Sequence, residues 1–180
     1  LCPLCRTRAD LVTAANVSLA KSSQGRYSHP MTGPHPSGGY ILDELSVGMV
    51  AEKPVTITED RIQRFAEASD DFNPVHMDEA FASKTAYRGR IAHGLLSASF
   101  GSAVVGTILP GAGAIYLSQT LAFHKPVRIG DVVVARITVA SIDEVSARVV
   151  LTCAGYVGDE LIMDGEATVR VPRRRRPAKD

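Results

Sequence analysis

No side chain between residues 94 and 109 carries a charge, and the run is dense in Leu, Ala, Ser, Gly and Val until Pro110-Gly111 ends it. A stretch of that length is too short to cross a bilayer, which takes about 20 residues. It is also too apolar around its circumference for a helix lying on a protein surface. It therefore predicts a helix buried on most sides, for which the rest of the chain must supply the cover. Gly101 and Gly106 each lower its helix propensity by about 1 kcal/mol relative to Ala, a loss expected to be offset by close approach of another backbone.

The cover follows in sequence. Residues 114–123 read as one long strand holding Ile115, Tyr116, Leu117 and Leu121. Gly130-Asp131 turns the chain into 132–142, where Arg136 and Thr138 alternate with Ile137 and Val139. Asp143-Glu144 leads into 145–157, and Gly158-Asp159 into 161–171. Long strands joined by short turns predict an antiparallel meander. Upstream, 49–58 reads as a further strand that Pro54 confines to an edge or a bulge. Thr58 is a good N-cap for a helix whose apolar stripe is Ile62, Phe65 and Ala66, ending near Ser69 to Asp71 because Pro74 disfavours helical geometry at Asn73. A twisted sheet with one face to cover and one apolar helix has an economical α+β solution, in which the sheet wraps the helix.

One hundred and eighty residues suit one domain, and a formal net charge of +1 gives no global field toward nucleic acid. Residues 1–40 read as a disordered leader or upstream extension, 41–171 as the folded domain, and 172–180 as a basic disordered tail carrying Arg173-Arg174-Arg175-Arg176. Cys2, Cys5 and Cys153 are an odd count and suggest a reduced, cytoplasmic protein without a disulfide framework. Cys2-x-x-Cys5 with His29 and His35 lacks the second close ligand pair of a structural zinc site. No run is long enough to span a membrane.

The chemistry concentrates in Asp70-Asp71-Phe72-Asn73-Pro74-Val75-His76-Met77-Asp78. Pro74 bends the chain between Asp71 and His76, and a turn of that size brings a carboxylate and an imidazole within reach of one water. Asn73 is a natural turn residue that can orient His76 or brace the loop. Asp78 can cap a short helix from Glu79 to Ser83. The same pattern also serves simply to end a helix, with His76 satisfying a buried carbonyl. Adding water across an activated double bond further requires a group to stabilise charge on the activating carbonyl. The free N–H groups at the start of the uncharged helix suit that task, and Gly94 would let a carbonyl come close. His93 reads as a residue that holds a loop, and Ser102, two turns beyond Gly94, could face the same cavity. Neither a Gly-x-Ser-x-Gly elbow nor a dinucleotide or phosphate loop is present, which disfavours serine hydrolysis and nucleotide chemistry.

Asp71-Phe72-Asn73-Pro74-Val75-His76-Met77-Asp78, followed by Ile91-Ala92-His93-Gly94-Leu95-Leu96, resembles the hydratase motif of the MaoC-like family, and within it that of the (R)-specific enoyl-CoA hydratases, including those serving polyhydroxyalkanoate synthesis. The resemblance extends through Ile115-Tyr116-Leu117, Phe123, Lys125-Pro126-Val127 and Gly130-Asp131. It implies a hot-dog fold, a homodimer, no cofactor, and reversible syn hydration of trans-2-enoyl-CoA to an (R)-3-hydroxyacyl-CoA. Asp71 and His76 would be the catalytic pair, Gly94 the amide that binds the thioester carbonyl, and Asn73 and Ser102 supporting residues. Lys84, Arg88, Arg90, Lys125 and Arg128 are the cations available for CoA phosphates. The alternatives are a (3R)-hydroxyacyl-acyl-carrier-protein dehydratase and a non-catalytic acyl-binding subunit.

Overall fold

The computed structural model describes residues 38–174. Its first strand, β1 (Val50–Thr56), gives way at Thr58 to helix α1 (Glu59–Ser69). The Thr58 hydroxyl accepts a hydrogen bond from the Arg61 N–H at 3.2 Å. Glu59 and Asp60 occupy the first turn, where the helix dipole favours acids. The apolar stripe buries Ile62 and Ala66, and the helix stops at Asp70, whose φ of +58° is left-handed. Two single-turn helices follow, α2 (Pro74–Met77) and α3 (Glu79–Ala82), the second capped as expected by Asp78, whose carboxylate accepts from the Phe81 N–H at 3.1 Å.

The uncharged stretch forms helix α4 (Gly94–Thr107). After it come β2 (Ile115–Gln119), β3 (Ala122–Phe123), β4 (Val132–Asp143), β5 (Arg148–Val157) and β6 (Glu160–Arg170). All pairings are antiparallel, in the order β1-β4-β5-β6-β2, with β3 also on β6. β1 is an edge strand, where a residue without an N–H such as Pro54 is tolerated. Alternation sends Val133, Ala135, Ile137 and Val139 of β4, Val149 and Leu151 of β5, and Ala167 and Val169 of β6 inward. They share one core with Leu96, Phe100, Val104 and Val105 of α4. The sheet is wrapped on the helix, which is the hot-dog fold.

Three expectations need correction. The described chain covers only one side of α4: Leu95 is 59% exposed, and Ser99, Ser102 and Gly106 continue an open stripe at helical spacing. The glycines do not meet another backbone either; a Cβ at Gly101 would touch only the Ile137 side chain at 3.7 Å, and one at Gly106 would meet nothing. Residues 114–123 are not one strand, because the chain breaks at Thr120. That residue keeps the register of the pairs on either side of it, its N–H donating to the Glu166 carbonyl, but its hydroxyl accepts the Glu166 N–H.

At the ends, the Tyr40 N–H donates to the Pro110 carbonyl at 2.7 Å and the Leu42 N–H to the Pro172 carbonyl at 2.9 Å. Arg173 donates to the carbonyls of Glu144 and Val145. These bonds tie Tyr40 and Arg173, which flank the 41–171 expected for the domain, to residues within it. Cys2, Cys5, His29 and His35, with most of the leader and the last six residues, lie outside the described residues. Cys153 is a buried free thiol. Among the described residues no helix is long and apolar enough to cross a membrane.

Candidate active site

Local hydrogen bonds shape the acidic turn. One Asp71 carboxylate oxygen accepts the Asn73 N–H at 3.2 Å, and the Asn73 side-chain oxygen accepts the Val75 N–H at 3.1 Å, capping α2. The Asn73 side chain therefore braces the loop, while its backbone carbonyl accepts the His76 N–H at 2.9 Å. Asp71 is exposed and His76 half-buried.

Two carbonyls then fix two imidazoles. His76 Nδ1 lies 2.9 Å from the Ile91 carbonyl oxygen. A carbonyl only accepts, so Nδ1 carries the proton and Nε2 keeps its lone pair. Burial lowers the His76 pKa below its ordinary value, the hydrogen bond to Ile91 opposes that, His93 lowers it further, and Asp71 raises it. Near neutral pH His76 is thus an uncharged acceptor. His93 Nε2 lies 2.9 Å from the Asp71 carbonyl oxygen, so this ring donates to the loop and ties it to the start of α4, the role the sequence suggested. His93 is 2% exposed and packs between two rings, with centroids 4.0 Å from His76 and 5.0 Å from Phe65.

Sequence reasoning left Arg90 among the cations open to a phosphate, and the structure commits it elsewhere. Its Nε donates to the His76 carbonyl at 2.6 Å, and its other two nitrogens clamp Glu59 at 3.1 and 2.7 Å. Lys125 pairs with Glu160 at 2.5 Å, and Arg128 donates to the Tyr87 carbonyl at 2.6 Å. Of the five candidates only Lys84 and Arg88 have side chains without such a partner among the described residues. Arg90 could not have been found from spacing alone, because Glu59 is 31 positions away.

Asp71, His76, His93, Gly94 and Phe123 line one cleft of about 400 Å³. Ligand-type atoms of Asp71, His76 and His93 lie within 4.8 Å of one another, close enough to share a water or to hold a metal ion. Gly94 opens α4, and its N–H, like those of Leu95 and Leu96, meets no acceptor among the described residues. The site thus combines an acceptor pair with free amide donors, which suits activation of water beside a carbonyl whose oxygen gains charge.

Ser102 does not join this cleft. Eight residues along α4 it stands about 12 Å further down the axis, in a second cavity of about 370 Å³ with Tyr116, Gln119, Cys153 and Met163. Leu95 borders both cavities. Burial, with Cys153 adding to it, pushes the Tyr116 hydroxyl up to about 12, and burial also raises the Cys153 thiol, so both are uncharged at neutral pH.

Residues 45–157 match the MaoC like domain. The chain is 46% identical over 133 residues to the 3-hydroxybutyryl-CoA dehydratase of Methylorubrum extorquens, covering 74% of this chain and 85% of that protein. It is 44% identical over 135 residues to an (R)-specific enoyl-CoA hydratase of Rhodospirillum rubrum, covering 75% and 94%. The solved structure of an (R)-hydratase from Aeromonas caviae involved in PHA biosynthesis superposes with a TM-score of 0.70 at 41% identity, over 72% of this chain and 98% of that one. A matched domain across most of the fold, with relatives of this identity over nearly their whole length, makes the chain a member of the MaoC-like family.

Proposed function

We propose that this protein is an (R)-specific enoyl-CoA hydratase, a hydro-lyase that reversibly adds water to a trans-2-enoyl-CoA to give the (R)-3-hydroxyacyl-CoA. The observation that carries this reading is the meeting, in one cleft, of the His76 Nε2 lone pair, the Asp71 carboxylate and the unpartnered Gly94 N–H. A water between Asp71 and His76 donates one hydrogen bond to each. Its oxygen attacks C3 of the enoyl thioester while the proton it gives up is returned to C2. Because both come from one water held on one side, the addition is syn. The Gly94 N–H donates to the thioester oxygen as the enolate-like charge builds, an interaction of a kind whose removal typically lowers kcat ~10²-fold or more. Asn73 holds the loop in shape.

The second cavity, largely apolar and uncharged in its Tyr116 and Cys153, suits the acyl chain, which would pass Leu95 to reach it; Ser102 then meets the chain rather than the reacting carbons. The open stripe of α4, together with the exposed Ile115 and Leu117 of the edge strand β2, suits a second copy of the chain, giving a homodimer. Reversal on carrier-protein thioesters would use the same groups, but a cationic mouth for an acidic carrier is poorly supported, since Arg90, Lys125 and Arg128 are already engaged.

Loss of the enoyl-thioester absorbance on incubation with a trans-2-enoyl-CoA series from short to medium chains tests the reading, with chiral analysis of the product. Absence of turnover across the series, or an (S) product, would overturn it. Light scattering reports the dimer.

A further inference from the structure

The start of α4 is not open on all sides. A Cβ placed on Gly94 would lie 3.0 Å from Cε1 of Phe123 and 3.2 Å from its Cδ1 and Cζ, so the Phe123 ring fills the space beside the one amide on which the proposed reaction depends. The ring is 52% exposed and lines the same cleft. Its backbone, by contrast, is strapped on both sides. Phe123 pairs with Met163 of β6, the His124 N–H donates to the Ile162 carbonyl at 2.9 Å, and the Ala92 N–H donates to the Val127 carbonyl at 2.7 Å. The strap from 123 to 127 cannot retreat without breaking these bonds; only the ring can swing.

We infer that Phe123 is a specificity-determining residue: its ring is the wall against which the thioester is held at Gly94, and it sets the discrimination against enoyl thioesters branched at C2. The inference rests on the hydration reading above and names which substrates that site accepts. The cleft is lined by the turn and helix start that carry the acceptor pair, by the strap that carries Phe123, and by Tyr87 and Ile162. With the thioester seated between the acceptor pair and the Phe123 ring, as the inference has it, C2 and C3 become tetrahedral as water adds, and their remaining substituents bend away from Asp71 and His76, toward the ring. Hydrogen on C2 bends freely. A methyl group there is driven into the ring, and overlap of this kind arises only as the transition state forms, so it lowers turnover more than it weakens binding.

Two measurements test this. The first compares kcat/KM for a straight-chain trans-2-enoyl-CoA and its 2-methyl counterpart in the parent protein, Phe123→Leu and Phe123→Ala. The preference for the straight chain is expected to fall by ~10-fold or more in Phe123→Ala, with Phe123→Leu between. An unchanged preference in both variants, with straight-chain turnover retained, overturns the inference; the leucine variant keeps the test valid if the alanine variant folds poorly. The second uses the absence of tryptophan from the chain. In Phe123→Trp the indole is a sole reporter, and its emission is expected to shift when a saturated acyl-CoA binds, with free CoA as the control. No shift under saturating acyl-CoA removes the contact. If the parent protein hydrates neither thioester while the reporter still responds, the hydration reading fails and the wall at Gly94 stands.

Discussion

The imidazoles of His76 and His93 lie with ring centroids 4.0 Å apart, and each spends one nitrogen on a backbone carbonyl of the other's segment: His76 on Ile91, His93 on Asp71. The arrangement is a cross-tie. It fixes the His76 tautomer while it fixes the loop bearing Asp71, so the two acceptors of the proposed water are set by one pair of contacts. His76→Gln and Asp71→Asn are each expected to lower hydratase kcat ~10²-fold or more, with melting temperatures close to the parent. Steady-state rates with thermal melts check this, and near-normal turnover in either variant removes the mechanism.

The acid side of the pH profile follows from the same geometry. Burial, aided by His93, holds the His76 pKa below 6.5 in the folded protein. As pH falls, Nε2 therefore stays available through the range where an ordinary histidine protonates, and is lost only at lower pH. The acid limb of kcat/KM is expected to bend below pH 6.5. In an NMR titration, Asp71→Asn should move the His76 midpoint further down, because it removes an anion that favours the charged ring, and His93→Gln should move it up. The linkage has one sign. The unfolded chain takes up a proton near 6.5 where the folded chain does not, so stability from this group is present above that value and declines as pH drops toward the folded pKa.

Arg90 makes two kinds of contact of unequal weight. Its pair with Glu59 involves a carboxylate that is 60% exposed, and pairs of that sort contribute about 0–1 kcal/mol. Its charged hydrogen bond to the His76 carbonyl holds the turn that bears Asp71 and His76, and bonds of that class contribute about 1.5–3 kcal/mol. Glu59→Gln is accordingly expected to change activity little, whereas Arg90→Ala lowers kcat ~10-fold or more and lowers the melting temperature. Equal effects of the two substitutions would show that the ion pair, not the carbonyl bond, positions the turn.

What the sequence made legible was local or periodic. Thr58 and Asp78 cap helices through bonds spanning three residues, so spacing alone identifies them, and Asn73, read as a turn residue, braces its loop through a bond spanning two. The meander of β4, β5 and β6 follows from alternation between short turns. Asp71, His76 and Gly94 were legible as a motif, and the fold brings them into one cleft. The rest depends on contacts that no window reveals. Helical spacing lets Ser102 face the Gly94 cavity but gives only a face, not the depth of a wall, and Ser102 lines the second cavity instead. The break at Thr120 depends on Glu166, 46 positions on, and the commitment of Arg90 depends on Glu59. Gly101 suggested a nearby backbone, but a small residue signals only proximity, and here the neighbour is a side chain.

Gly165 shows the case in which a backbone is the neighbour. A Cβ there would lie 1.9 Å from the Thr120 carbonyl oxygen and 2.7 Å from its carbon, where the chain crosses from β2 to β3. No rotamer relieves such a clash. Either β6 must shift or Thr120 must leave it, taking with it the two hydrogen bonds to Glu166. Overpacking of this order costs about 1–3 kcal/mol, and losing the tie adds to it. Gly165→Ala is therefore expected to lower the melting temperature by about 5–10 °C, at roughly 2–4 °C per kcal/mol for a chain of this size. Because Phe123 lies three residues beyond Thr120, a shift there also moves the proposed wall of the cleft, and the variant should lose hydratase activity at temperatures where it is still folded. Differential scanning calorimetry and rates at 20 °C separate the two effects; an unchanged melting temperature would show that the crossing is looser than these distances imply.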